Sequence, residues 1–141
     1  MYYLLDTDVI SELIKKDPNQ GVLRWIDEHD ETTLFLSVIT FGELQKGISK
    51  LSDKIRAERL QTWVDQDLAK RFEGRILSID LNVVLTWGRV LGNSEKSGIK
   101  LPVMDGLIAA MAIAGNLTVV TRNVQDMERC QASVFNPWDH V

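Results

Sequence analysis

Tyr2-Tyr3-Leu4-Leu5-Asp6-Thr7-Asp8 begins with an apolar run that reads as a strand and closes it with an acid. Strand-like and helix-like segments alternate from there with short connections, which is the pattern of a parallel sheet with helices on both faces. Further strands are expected at Leu34 to Val38, Arg75 to Ile79 and Leu117 to Thr121, and a fifth near Ala132 to Phe135. The expected fold class is therefore α/β, with a central, mainly parallel sheet of four to five strands. Ligands of such sheets gather outside the carboxyl ends of the strands, where Asp6 stands.

Helices fill the gaps. One is expected from Thr7 to Lys16, stopping before Asp17-Pro18 because the residue preceding proline resists the helical region. A second spans about Gly21 to His29, and a third follows Thr40. Leu60, Trp63, Val64, Leu68 and Phe72 recur at helical spacing in an otherwise charged segment, so Asp53 to Phe72 reads as one long amphipathic helix. Leu81 to Val90 is a second amphipathic helix, weakened by Gly92-Asn93-Ser94. Asp105 opens a run to Ala114 that is apolar on nearly every side and closed by Gly115-Asn116, as a buried helix would be.

The chain has 141 residues, suited to one domain over 1–141, and no repeat or linker interrupts it. With 45% hydrophobic and 26% charged residues it has the composition of a globular protein. No basic leader or apolar run of membrane-spanning length is present, which leads to the expectation of a cytoplasmic protein without a membrane partner. The single cysteine, Cys130, allows no internal disulfide and no cysteine-based zinc site. A net charge of −4 argues against a basic coat for duplex binding. It does not exclude nucleic acid, because acids pooled around a metal still attract phosphate there. Lys46, Lys50, Lys96, Lys100 and Arg122 flank the acidic positions, as a phosphate-contacting rim or as ordinary solvated charge.

Four acidic or amide positions carry the chemistry: Asp6, Glu43, Asp105 and Asn123. Each has a plainer reading. Asp6 can cap the helix after it, with Asp8 competing for that role. Thr40-Phe-Gly-Glu43 matches a capping box. Asn123-Val-Gln-Asp126 can also be a cap, with Asp126 offering another oxygen on the same turn. Asp105 favours a site, since a carboxylate heading so apolar a helix needs a polar partner. Acids gathered at the strand-to-helix crossings of one sheet repel unless a cation lies between them, and oxygen ligands suit Mg²⁺ or Mn²⁺. A metal so held generates a hydroxide nucleophile and stabilises a pentavalent phosphorane, so phosphodiester hydrolysis is the leading chemistry.

The segments Leu4 to Leu13, Ser37 to Leu44, Asp105 to Ala112 and Thr121-Arg-Asn123 resemble, in order, the four motifs of the PIN domain. The likeness is greatest to the VapC- and FitB-type toxins of bacterial toxin–antitoxin modules, and it includes Val134-Phe-Asn-Pro-Trp138. The resemblance implies a three-layer PIN-like fold and a metal-dependent endoribonuclease that is a homodimer restrained by a small antitoxin. It implies Asp6 and Asp105 as principal metal ligands, Glu43 as a third acid in that pocket, and Thr7 and Thr121 as supporting hydroxyls. Asn123 falls where many relatives carry aspartate, and Asp126 is the candidate to supply the missing charge. The tryptophans and the amphipathic segments Asp53 to Phe72 and Asp80 to Leu91 offer a partner surface, or else Trp25, Trp63 and Trp87 fill the core.

Two other classes fit part of the pattern. A receiver-type signalling module would also bind Mg²⁺ at strand ends, with Asp80 as phosphoacceptor, but Arg122-Asn123 stands where its lysine is expected. A non-catalytic interaction domain would use the acids as caps alone. A serine or histidine hydrolase lacks its G-x-S-x-G turn.

Overall fold

The computed structural model describes residues 1–140. Five parallel strands form one sheet: β1 (Tyr3–Leu5), β2 (Leu34–Ser37), β3 (Ile76–Leu77), β4 (Thr118–Val120) and β5 (Val134–Phe135), in the order β3-β2-β1-β4-β5. β1 is central, with Leu4 opposite Phe35 on one side and Val119 on the other. Its neighbouring side chains point to opposite faces. Leu4 joins Val119, Ile108, Met111 and Met127 in one core, while Leu5 joins Val120, Leu36, Ile10, Val22 and Phe72 in the other. That two-sided burial makes the opening strand apolar at successive positions, and the two cores define the outer helical layers.

The first layer contains α1 (Thr7–Leu13), α2 (Gln20–Asp27), α3 (Val38–Ser49) and a continuous helical stretch made of α4 (Lys54–Thr62), a π-helical turn (Trp63–Leu68) and α5 (Ala69–Arg71). The wide turn departs from the uniform helix expected over Asp53 to Phe72. It keeps Val64, Leu68 and Phe72 buried. The opposite layer holds α6 (Leu81–Lys96), α7 (Val103–Gly115) and α8 (Val124–Arg129). α6 continues through Gly92-Asn93-Ser94 because it packs along α7, where a Cβ on Gly106 would lie 2.7 Å from Leu91 Cδ1. The missing side chain lets the two helices meet beside Asp105. α7 ends where expected, with Asn116 in the left-handed conformation at φ 57°.

Several boundaries differ from the sequence reading. α1 stops at Leu13 because the buried Glu12 carboxylate turns back to accept from Asn19 N and Lys15 Nζ, both at 2.8 Å. α3 begins at Val38 because the Ser37 hydroxyl accepts from Ile39 N at 3.0 Å. Thr40 is thus buried inside the first turn, and Thr40-Phe-Gly-Glu43 is not a capping box. β3 shortens to two residues at the sheet edge, where it has one neighbour. Asp80 beyond it caps α6 by accepting from Val83 N at 2.9 Å, so it does not end a middle strand as a receiver phosphoacceptor must. Finally, the amphipathic segments 53–72 and 80–91 lie on opposite faces of the sheet and do not form one partner surface. Trp25 is buried and stacks on His29 and Phe135, while Trp63 and Trp87 pack partly buried against the two cores.

Candidate active site

The carboxyl ends of β1, β2 and β4 open into a cleft of about 470 Å³ lined by Asp6, Asp8, Glu12, Glu43, Asp105, Arg122 and Asn123, with Thr7, Ser11, Lys15 and Trp138 around them. Asp6 leaves the centre of the sheet and caps α1, its Oδ1 accepting from Thr7 N at 2.8 Å. Capping occupies one oxygen. The other, Oδ2, accepts from the buried Thr121 hydroxyl at 2.9 Å, so one carboxylate serves both the helix and the cleft.

Glu43 sits one and a half turns into α3 and, though exposed, borders the cleft, accepting from Thr7 Oγ1 at 2.7 Å. Asp105 is in the first turn of α7, which follows α6 through a loop, so this acid comes from a helix–helix connection and not from a strand end. Its Oδ2 accepts from Asn123 Nδ2 at 3.3 Å. Asn123 begins α8 without using its side chain as a cap, which frees the amide for Asp105. Asp126 does not line the cleft; it lies 3.9 Å from Arg129 and acts on Asp105 through its charge.

Asp8 belongs to the cleft as well, beyond the capping role weighed for it. Its Oδ2 accepts from Thr121 Oγ1 at 3.1 Å and from Arg122 N at 2.9 Å, while its buried Oδ1 has no hydrogen-bond partner. Glu12, four residues on, faces the same way. The spacing Asp8-Ser11-Glu12 was the available signal, since residues three and four apart share a helix face. Thr121 is the junction: its hydroxyl stands within hydrogen-bonding distance of both Asp6 and Asp8 and accepts from Asn123 N at 3.0 Å.

The electrostatics follow from this crowding. Burial, and then the charge of Asp8, push the Asp6 carboxyl up to about 6, although the Thr7 and Thr121 donors pull the other way. Burial likewise raises Asp8. Asp105 is raised by burial first and then by Asp126, against the Asn123 amide. Glu12 is held low by the Lys15 hydrogen bond. Among the described residues no three His, Cys, Asp or Glu side chains stand close enough together to hold a metal ion by themselves. Glu43 is drawn to Thr7, and Asp105 to Asn123. The donor set nevertheless suits a hard divalent ion, which keeps several waters and takes one or two carboxylates. The unpartnered oxygen of Asp8 and the elevated Asp6 mark a cleft short of positive charge.

A central parallel sheet with an acidic cleft at its carboxyl edge defines a class of α/β domain whose ligands bind outside the strand ends. Within that class, a family model described as "PIN domain" matches residues 3–130, and the chain belongs to this family. It is 35% identical to the VapC ribonuclease Y4jK of Sinorhizobium fredii over 136 residues, covering 96% of this chain and 97% of that one. It is also 35% identical to toxin FitB of Neisseria gonorrhoeae over 135 residues, covering 96% and 97%. The crystal structure of FitAcB from Neisseria gonorrhoeae superposes with a TM-score of 0.92 at 34% identity, over 97% of this chain and 99% of that one.

Proposed function

We propose that this chain is a divalent-metal-dependent endoribonuclease, the toxin of a toxin–antitoxin pair, with residues 1–141 acting as one unit in the cytoplasm. The observation that carries the reading is the convergence of Asp6, Glu43, Asp105 and Asn123 on one cleft at the carboxyl edge of the sheet. Asp6 and Asp105 are the principal ligands of Mg²⁺ or Mn²⁺, with Glu43 as the third acid. Such an ion, when bound, supplies Lewis-acid stabilisation of phosphate charge and lowers the pKa of water. Asn123 orients Asp105 through its amide, and Asp126 adds charge from outside. The Thr7 and Thr121 hydroxyls hold Glu43, Asp6 and Asp8 in place. Names of relatives that include a ribonuclease and a toxin support the substrate class and the biological role.

An antitoxin has a physical route into the site. A cavity of about 240 Å³, bordered by Leu44, Ile48, Leu60, Trp63 and Val64, shares Thr7, Ser11 and Glu43 with the acidic cleft. A partner segment with apolar anchors fits there, and an arginine at its tip would pair with Asp6, Glu43 or Asp105 and compete with the metal. A homodimer is supported by aliphatic side chains left exposed on and beside α6 and α7, namely Leu81, Val84, Leu85, Val103 and Met104. Incubating the purified chain with RNA in Mg²⁺ or Mn²⁺, alone and with the product of a neighbouring gene, tests both parts. Metal-dependent cleavage suppressed by the neighbour is the expected result, and cleavage that persists in EDTA overturns the metal assignment.

A further inference from the structure

Arg122 is a cation without a committed partner at an acidic cleft. It follows the fully buried Thr121, and its backbone N–H donates to Asp8 Oδ2 at 2.9 Å. Its guanidinium carbon lies 4.7 Å from the centre of the Trp138 ring, and among the described residues it makes no ion pair. An arginine held by an aromatic face rather than by a carboxylate keeps its N–H donors free for a planar or tetrahedral oxyanion.

Trp138 is itself fixed by construction. It lies in a 3₁₀ turn, Pro137–Asp139, where Asn136 Oδ1 accepts from Trp138 N at 2.9 Å. That turn is docked on α2 so closely that a Cβ on Gly21 would come within 2.7 Å of His140 O. His140 adds a 2.8 Å contact to Glu28. The C-terminal turn therefore has a fixed seat on α2, and its tryptophan supports the cation over the cleft.

Building on the ribonuclease reading, we propose that Arg122 binds a phosphate of the RNA strand in the acidic cleft and that Trp138 is the positioning residue that aims it. The acids repel a polyanion wherever no cation intervenes, so a fixed guanidinium beside Asp8 gives the strand a contact that does not depend on the acids. Lysine in its place keeps the charge but loses the aromatic seat and the forked donors.

The test uses a fluorescently labelled single-stranded RNA oligonucleotide with the full chain in Mn²⁺, measuring KM, kcat and the dependence of kcat/KM on salt. Arg122→Ala is expected to raise KM about tenfold or more, as loss of a charge-assisted hydrogen bond implies, and to flatten the log–log salt slope by about 0.7 for one lost phosphate contact on a single strand. Trp138→Ala should reproduce most of that change, Trp138→Phe should restore it in large part, and the double variant should be no worse than Arg122→Ala alone. Arg24→Ala, which removes an exposed charge outside the cleft, should keep the wild-type slope. An Arg122→Ala protein with wild-type KM and salt slope overturns the proposal, as does an equal flattening in Arg24→Ala or additive losses in the double variant. Should the wild type itself leave the oligonucleotide uncut, the ribonuclease reading fails and this proposal with it. A cutting wild type with an indifferent Arg122→Ala removes the proposal alone.

Discussion

Replacing Asp6 by Asn should make the metal-free protein more stable while abolishing its activity. The folded carboxyl is raised from the ordinary 3.8 to about 6, so it holds its proton more tightly than the unfolded chain does. For such a group, the stabilisation is fully present below about pH 4 and is lost as pH rises through about 6. At neutral pH the buried charge therefore costs roughly 3 kcal/mol, taking about 1.4 kcal/mol per tenfold change in proton affinity. Asparagine removes the charge and keeps the geometry. Its Oδ1 still accepts from Thr7 N, and asparagine caps helices as well as aspartate does. Its amide can donate to Thr121 Oγ1, which then accepts there and from Asn123 N and donates to Asp8, within the capacity of one hydroxyl. Allowing for the weaker desolvation cost of the amide, a gain of roughly 1–3 kcal/mol is expected, or about 3–10 °C in melting midpoint for a chain of this size. Thermal melts in EDTA at pH 8 and pH 4 measure it. A clear gain at pH 8 that shrinks towards zero at pH 4 is expected. A variant less stable than wild type at pH 8 refutes the claim that Asp6 is held at an electrostatic cost.

Other perturbations follow from the same geometry. Asp105→Asn should lower metal-dependent cleavage by on the order of a hundredfold or more with the circular dichroism spectrum unchanged, and a wild-type rate would exclude Asp105 as a ligand. Millimolar Mn²⁺ should raise the melting midpoint of the wild type over that in EDTA, by about 2.7 kcal/mol at a hundred times the dissociation constant, and superimposable melts would speak against metal binding. Because Asp6 must be ionised to bind, calorimetric Mn²⁺ affinity should climb as pH rises from 5 to 7, and a flat profile would dissociate Asp6 from the metal. Thr121→Val should destabilise the protein by about 1–3 kcal/mol in chemical denaturation, since it orphans Asn123 N and deprives Asp6 of its donor, and an unchanged midpoint would show the hydroxyl to be dispensable.

The parts of the fold legible in the sequence were those in which local pattern and tertiary role agree. Leu4 and Leu5 in the opening strand are buried on opposite faces of the sheet, and Gly106 and Ile108 to Ala112 are buried in the helix from Asp105, so the apolar pattern and the burial agree and nothing local competes. Where two local signals compete, the pattern misleads. Thr40 and Glu43 have the spacing of a capping box, yet Ser37 captures the first free N–H three residues earlier, so Thr40 is buried and Glu43 is released to the cleft. Spatial order across the sheet has no local signature at all. β3 comes third in the chain but lies at the edge, which is what sends Asp80 away from the acids. Asp6, Glu43, Asp105 and Asn123, singled out by the PIN-like motifs, all line one cleft, whereas Asp126 does not. Asp8, Glu12 and Trp138 also line the cleft but were not expected there, Asp8 because a capping role was weighed for it instead. Trp138 reaches the cleft only through contacts between distant segments.

Cleavage of a labelled single-stranded RNA by the purified wild-type chain and by Asp6→Asn, Glu43→Gln and Asp105→Asn, each in Mn²⁺ and in EDTA, tests the proposed chemistry at its centre. The expected result is cutting by the wild type that requires Mn²⁺, with Asp6→Asn and Asp105→Asn inactive and Glu43→Gln strongly reduced although all three remain folded. Cutting that survives EDTA, or that survives in both Asp6→Asn and Asp105→Asn at the wild-type rate, would mean that the acidic cleft is not where the phosphodiester is hydrolysed.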